Sequence, residues 1–396
     1  MARRAAISGV ATTEATSPSK QTSSSLELCQ QAAWAALEHA RLRPEDLDAI
    51  VVGNIDGFEG TALSGKHVTR LLGLGRHLPL IILNTGGTTG GNLMQVAARM
   101  VRSGTHEAVM VLGQPTFFGA RDLQSAINTN SPMIVEQPLG MGAFHMGAFA
   151  ASAYQARHGI SARDLAEVIV ADHDKASRNP KAHLRYTVDV DYVVNGTPLS
   201  TPLTQPMVCP VSTSANAMVL VSEARARALD HPTALVTAMG TTSDPYLGGG
   251  KGDFAALENL AALARRVYRL ADIREPRQEF DVVEVFAPYA HMQPMQLEAL
   301  GFCEPGTGIE LIRSGATAID GDMPTNLSGG PKCTNAGVAG ELAPYLYVAM
   351  QLMDSAPPEI QVAGHPRMGL AHGTGGSFFQ FENLAVLTRL DPAPEA

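Results

Sequence analysis

The 396 residues are 45% hydrophobic and 17% charged, enough apolar side chain for a large core and two domain-sized units. The net charge of −9 comes without a basic run, which argues against nucleic acid as the main partner. No stretch of about 20 apolar residues occurs, so no transmembrane helix is expected; Cys29, Cys209, Cys303 and Cys333 lack the close pairing of a zinc site or a disulfide framework, which suits a reducing cytoplasm.

The run Ala6-Ile7-Ser8-Gly9-Val10 is too short for a secretory signal and reads as a first strand. Ser25–Arg41 has the pattern of an amphipathic helix, followed by Pro44–Asp48 and a strand at Ala49–Gly53. Leu78–Leu83 reads as a buried strand, apolar on both faces. Asn84-Thr85-Gly86-Gly87-Thr88-Thr89-Gly90-Gly91 follows, then helical periodicity over Asn92–Arg102, closed by Ser103-Gly104. A further strand is expected at Val109–Leu112. Phe117–Gly142 lacks periodicity, helices return at Met146–His158 and Ala162–Ala176, and Arg185–Pro202 is polar. A strand at Ala234–Thr237, a helix at Phe254–Arg269 and a strand at Val282–Phe286 follow.

Helix, polar stretch, aspartate and strand occur twice, ending on Asp48 and on Asp281. The glycine-rich turn after Asn84 has a counterpart after Asn326 at a similar offset. The repetition predicts an α/β chain of two pseudo-symmetric halves with parallel-rich sheets, residues 1–240 and 241–396, with an insertion over roughly 116–230.

A strand–turn–helix elbow aims backbone N–H groups and the positive end of a helix at one spot. Such elbows often carry an exposed Cys or Ser. The one after Leu83 carries only Gly and Thr. Gly87 either offers its N–H to a developing negative charge or only permits close backbone approach. Three other loops carry candidate chemistry. Tyr289 and His291 are the polar groups of Val285–His291, either reacting groups or core filler. Asn326–Gly337 holds Asn326 and a thiol, Cys333, beside Lys332. In Ala371–Gly376, His372 lies before the glycines Gly373, Gly375 and Gly376 and serves either proton transfer or a structural hydrogen bond.

The order and spacing of these segments resemble the thiolase superfamily over nearly the whole chain. The likeness is greatest to its sterol-carrier-protein type and to the thiolase-like retro-aldolases of steroid side-chain degradation. The segments that carry it are the elbow, Ala171–Ala182, Gln205–Pro210, Leu297–Cys303, Asn326–Gly330 and Ala371–Gly376. The resemblance implies a layered αβαβα fold and puts the family's nucleophilic cysteine at about Gly87. Its His-Asp-Cys-Phe segment falls on Phe286, Ala287, Pro288 and Tyr289, so the family histidine is absent. The tyrosine of the steroid enzymes is replaced by Phe286. The Gly-His-Pro base falls on Asn335-Ala336-Gly337 and is absent too. The insertion would cover the pantetheine arm of a CoA thioester.

The resemblance thus implies lipid metabolism on acyl-CoA thioesters without a covalent acyl-enzyme. C–C cleavage or formation of retro-aldol type would use Tyr289, His291 or His372 as the general base. The N–H groups of Gly87, Gly375 and Gly376, with Asn326, would hold the thioester oxygen. Coenzyme A enters as part of the substrate, no cofactor is covalently bound, and no metal is expected. A homodimer and a small OB-fold partner with a zinc-binding segment are implied. Two alternatives stay open: an acyltransferase whose nucleophile lies elsewhere, Cys333 for example, and a non-catalytic subunit that binds lipid-CoA.

Overall fold

A computed structural model describes residues 3–55, 73, 78–115, 127–129, 131–245 and 250–393. Residues 117–126 and 130, within the stretch without periodicity, lie outside the described residues.

Eleven strands are described: β1 (Ala5–Thr12), β2 (Ala49–Gly53), β3 (Leu80–Leu83), β4 (Ala108–Gly113), β5 (Pro198–Ser200), β6 (Leu203–Thr204), β7 (Asn216–Ser222), β8 (Thr233–Ser243), β9 (Val282–Val285), β10 (Met368–Gly375) and β11 (Phe381–Leu390). β5 and β6 form a small ribbon, and the other nine run in the order β3-β2-β4-β7-β1-β8-β11-β10-β9. The internal repetition is visible in the pairing. In the first half β3, β2 and β4 are parallel, and β7 is antiparallel to both β4 and β1. In the second half β9 and β10 are parallel, and β11 is antiparallel to both β10 and β8. The place of β3 is taken there by Thr325, a parallel bridge partner of Val283. Within the sheet, the strands of the first half meet β8 where Ala6 and Ile7 of β1 face Leu235 and Ala234.

Three apolar clusters give the layers. Two helices, Thr89–Arg102 (the elbow helix) and Val338–Leu352 (the central helix), pack with one face of each half through Leu93, Met94, Leu342 and Tyr345 against Val51, Val111, Val236 and Ala371. Helix Ser25–Ala40 covers the outer face of the first half through Leu28, Ala32 and Ala36 against Ile50, Met110 and Val219. Helices Glu258–Ala271, Met292–Ala299, Ala143–His158 and Ala162–Arg178 cover the outer face of the second. The result is the α-β-α-β-α stack that the family resemblance implies.

Local signals fix most boundaries. Ser24 closes a capping box with Glu27 and starts the helix Ser25–Ala40; Arg41, at φ 52°, stops it. Two boundaries differ from the sequence reading for tertiary reasons. β8 extends to Ser243 because β11 pairs with it through Phe381↔Ser243. The elbow helix begins at Thr89, through two glycines that disfavour helix by about 1 kcal/mol each. The buried carboxylate of Glu341, on the central helix, accepts the N–H of Gly91 and satisfies a donor that a helix start leaves open. A side chain at Gly90 would place its Cβ 2.3 Å from the Leu342 nitrogen, so glycine is needed where the two helices touch.

Candidate active site

The elbow is held by its threonines. Thr89 Oγ1 donates to the Gly86 carbonyl at 2.6 Å and accepts from the Thr85 N–H at 2.9 Å. Thr88 Oγ1 donates to the Thr85 carbonyl at 3.0 Å. Gly86, at φ 62°, makes the turn. From the other half, Asn383 Nδ2 donates to the Thr88 carbonyl at 3.0 Å and ties the elbow to β11. This tie presses two backbones together. A Cβ at Gly87 would stand 2.9 Å from Gly375 Cα, and a Cβ at Gly375 would stand 2.6 Å from Gly87 Cα. The position where the family's cysteine falls is therefore closed by main chain as well as lacking a side chain.

Beside this contact lies a cavity of about 210 Å³. The elbow contributes Gly86 and Gly87, and the loop after β10 contributes Gly375, Gly376, Phe378 and Phe379. Phe286, Pro288 and Tyr289 come from the segment after β9, Asn335 and Gly337 from the loop before the central helix, and Met141, Ala143 and Met146 from the insertion. Cys209 completes the wall. Its N–H donates to the Pro288 carbonyl at 2.8 Å, and Val208 bridges Tyr289. All four loops named in the sequence thus meet at one cavity, with the inserted helix Ala143–His158 over it. Among the described residues the lining holds no carboxylate, ammonium or imidazole. Its polar groups are neutral: the Tyr289 phenol, the Cys209 thiol, the Asn335 amide, hydroxyls and glycine N–H groups.

The residues singled out in the sequence separate into three places. Gly87, Gly375, Gly376 and Tyr289 line the cavity. Burial lifts the Tyr289 phenol well above its ordinary value, with the Cys209 thiolate form adding to the effect, so it stays protonated at neutral pH. His291 lies behind it. Its ring stacks on Tyr289 with centroids 5.8 Å apart and planes 20° apart, and neither ring nitrogen has a hydrogen-bond partner among the described residues. Burial, then the nearby Lys332 charge, pushes this imidazole down to about 3, so it is neutral. His372 and Asn326 lie elsewhere. His372 is fully buried on β10 and its Nε2 is 2.8 Å from Glu382 Oε2, an equally buried carboxylate on β11. Asn326, at φ 50°, accepts the Val285 N–H through Oδ1 at 2.7 Å and so fixes the strand end that carries Phe286.

The loop after β9 is anchored by a buried ion cluster. Lys332 Nζ lies 2.7 Å from Asp172 Oδ2 and donates to Gln293 Oε1 at 2.7 Å and to the Ala287 carbonyl at 3.3 Å. Lys175, 3.5 Å from Asp172, donates to the Thr325 carbonyl at 2.8 Å. Helix Ala162–Arg178 of the insertion is thereby locked to two of the loops that shape the cavity. Because removing one partner of such a pair leaves a buried charge uncompensated, this cluster holds the loops in one arrangement.

Two residues of the cavity wall, Cys209 and Asn335, are not among the site residues the sequence reading names. Cys209 sits in a segment that signals only family likeness, and Asn335 registers there only as the place of a missing base. No local pattern marks either, because their meeting depends on the packing of β10, the insertion and the central helix. The thiol named in the sequence, Cys333, is instead fully buried against Ala176 and Ala182. Burial, then the Asp172 charge, pushes its thiol well above the ordinary value. Cys333→Ser is accordingly expected to keep turnover within about tenfold of the parent, since loss of a true nucleophile costs several powers of ten; steady-state kinetics on the folded variant decides this.

Among the described residues no group of three or more His, Cys, Asp or Glu side chains is arranged to hold a metal ion, and no helix is long and apolar enough to cross a membrane.

Comparison with known proteins gives the same picture. A family model described as the thiolase N-terminal domain matches residues 6–190. A second, described as thiolase C-terminal domain-like, matches residues 250–389. An acetyl-CoA acetyltransferase of Methanothermobacter thermautotrophicus is 29% identical over 89% of this chain and 91% of its own length. A steroid side-chain-cleaving aldolase of Thermomonospora curvata is 28% identical over 82% and 85%. Among solved structures, the Ltp2-ChsH2(DUF35) aldolase superposes with a TM-score of 0.82 at 23% identity, covering 97% of each chain, which shows a shared fold. With a thiolase model on each half and the elbow loops gathered at one cavity, the chain belongs to the thiolase superfamily.

Proposed function

We propose that the protein acts on acyl-CoA thioesters by C–C bond cleavage or formation of retro-aldol type, without an acyl-enzyme. The observation that carries this is the contact of Gly87 with Gly375, which leaves no room for a nucleophile at the elbow. In the cleavage direction the β-hydroxyl of a 3-hydroxyacyl-CoA gives up its proton and the Cα–Cβ bond breaks. The electron pair moves onto the thioester carbonyl as an enolate, and protonation at Cα yields a shorter acyl-CoA and a ketone or aldehyde. The N–H groups of Gly87, Gly375 and Gly376 face the thioester oxygen in this reading, where fixed donors stabilise developing charge. Tyr289, protonated at neutral pH, is the cavity group that relays the proton: its phenol donates to the enolate at Cα and recovers the proton that the β-hydroxyl releases, with no net change on the phenol. His291 supports its ring, while His372 and Asn326 hold the strands that carry the loops. Likeness to the steroid side-chain-cleaving aldolase supports the reaction class.

Likeness to the Ltp2-ChsH2(DUF35) aldolase supports a DUF35 partner protein; the small OB-fold with a zinc-binding segment is what the family resemblance implies for it. Among the described residues Cys29, Cys209, Cys303 and Cys333 form no disulfide, which fits a cytoplasmic setting. We place the domain division at residue 240, inside β8, the strand that pairs with both β1 and β11.

The test is incubation of the protein, with a candidate DUF35 partner, with a panel of 3-hydroxyacyl-CoA compounds. Equal release of a shorter acyl-CoA and a free carbonyl product, with no acyl group left on the protein, supports the reading. A radiolabelled acyl adduct would convert it to an acyltransferase, and binding without turnover would make the chain a non-catalytic subunit.

We also infer a homodimer through β3. Among the described residues this strand is the edge of the nine-stranded sheet, and Leu80, Ile81, Ile82 and Leu83 are all partly exposed. An unpaired apolar edge is an aggregation hazard unless another chain covers it. Sedimentation at micromolar concentration is expected to give twice the chain mass, and Ile82→Lys to shift it toward monomer; a stable folded monomer of the unmodified chain refutes this.

A further inference from the structure

The cavity wall contains a side-chain pair built as a hydrogen-bond donor site. Asn335 Nδ2 donates to Cys209 Sγ at 3.0 Å, and Asn335 Oδ1 accepts the Gly337 N–H at 3.3 Å. The second contact sets the amide orientation, because a flipped amide would set its NH2 against the Gly337 N–H. The main chain on either side is fixed as well. The Asn335 N–H donates to Ser212 Oγ at 3.1 Å, and the Asn335 carbonyl accepts from the Ser212 N–H at 3.0 Å. Cys209 is tied to Pro288 on the neighbouring wall. A side-chain amide carries two N–H bonds on its nitrogen. One points at Cys209 Sγ, and the other has no partner among the described residues. Both residues line the cavity that Gly87, Gly375 and Tyr289 share. A neutral donor held this firmly, in a cavity without charged groups, suits an oxygen that gains negative charge during reaction.

We propose that Asn335 is a catalytic residue whose free amide N–H binds the thioester carbonyl oxygen of the acyl-CoA and stabilises it as the enolate, and that Cys209 is the positioning residue that holds the amide by accepting its other N–H. This rests on the acyl-CoA reading above and adds the residue that polarises the carbonyl. A sulfur acceptor is weak, so it orients the amide without fully occupying it.

The experiment compares Asn335→Ala, Asn335→Asp, Cys209→Ala and Cys209→Ser with the parent chain, in complex with its partner where one is established. Calorimetry reads the affinity for two probes: an acyl-CoA thioester, and the S-alkyl-CoA thioether in which a methylene replaces the carbonyl. Asn335→Ala is expected to weaken the thioester about 3–10-fold, the range of one neutral hydrogen bond, and to leave the thioether unchanged. Turnover of a cleaved 3-hydroxyacyl-CoA should fall about 10²–10³-fold, as for loss of one oxyanion donor. Asn335→Asp removes the donor and should lose at least as much.

Cys209→Ala should lower kcat about tenfold with little change in KM, and Cys209→Ser, which keeps an acceptor, should restore most of it. Equal weakening of both probes by Asn335→Ala, or no weakening of either, overturns the proposal. If neither probe binds the parent chain, the acyl-CoA reading itself fails. If both bind but no substrate turns over, the probe comparison alone still decides the role of Asn335.

Discussion

Gly87→Cys is expected to lose C–C cleavage by at least about a hundredfold and to gain no acyl transfer. The new Cβ would stand 2.9 Å from Gly375 Cα, a backbone atom that cannot turn aside as a side-chain end can. Relief requires the elbow or the loop after β10 to move, and both are fixed, the elbow by Thr88 and Asn383 and the loop by the β10–β11 ladder. Overpacking of this kind costs about 1–3 kcal/mol. A displacement near 1 Å of the donors at Gly87 and Gly375 is enough for a loss of about 10² in rate. The thiol would also lack activation. Its ordinary pKa near 8.5 leaves it mostly protonated at neutral pH, and the cavity lining described here offers no imidazole or carboxylate to take the proton. The measurements are the thermal midpoint and steady-state kinetics for both reactions. Unchanged stability would show that the two backbones are not in firm contact, and robust acetyl exchange would reveal a base outside the described lining.

His372→Ala is expected to destabilise the fold by about 3 kcal/mol at neutral pH, the upper range for leaving a buried acceptor without its hydrogen-bond partner. His372 Nε2 and Glu382 Oε2 are 2.8 Å apart and both side chains are fully buried. Burial raises the Glu382 carboxyl above its ordinary value, and the His372 contact draws it back down. Removing the imidazole therefore lets the carboxyl rise further. A carboxyl with a folded pKa above its unfolded pKa holds its proton more tightly in the folded state, so stability falls as pH rises between the two values. The defect of His372→Ala should accordingly shrink when the solution is taken from pH 7.5 to pH 5.5. A double variant, His372→Ala with Glu382→Gln, should recover part of the loss, because no carboxylate is then stranded. Chemical denaturation at the two pH values checks both statements. A variant of parental stability with turnover lowered a hundredfold would instead return His372 to the reaction itself.

The contrast between these residues shows how far a linear reading reaches. The elbow is legible because strand, turn and helix are contiguous and each has its own local signal. Gly87 stands out because a particular residue type is missing at a position the turn defines. Tyr289 is legible by the same route, through its count from the Leu297–Cys303 segment. His372 looks accessible in sequence because glycines follow it, yet glycines in β10 let the central helix and the elbow approach. A Cβ at Gly373 would overlap the Glu341 carboxylate. The imidazole is enclosed by neighbours contributed from far along the chain.

Legible in the sequence are β1, β2, β3, β4, β8 and β9, the five long helices up to Ala271, the doubling of the α/β unit and the lack of a Cys or Ser at the elbow, but not β7, β10, β11 or the central helix. The legible features follow from short-range physics: side-chain period, caps and turn residues act over a few positions. The tertiary structure alone decided which polar groups share the cavity. Cys209 and Asn335 are 126 positions apart and meet only through the packing of the insertion against the second half. His372 and Glu382 pair because the register sets Thr374 opposite Glu382 and Gly373 opposite Asn383, placing both side chains on one sheet face. Register and layer packing are sums of many weak contacts over the whole chain, and no local segment contains them.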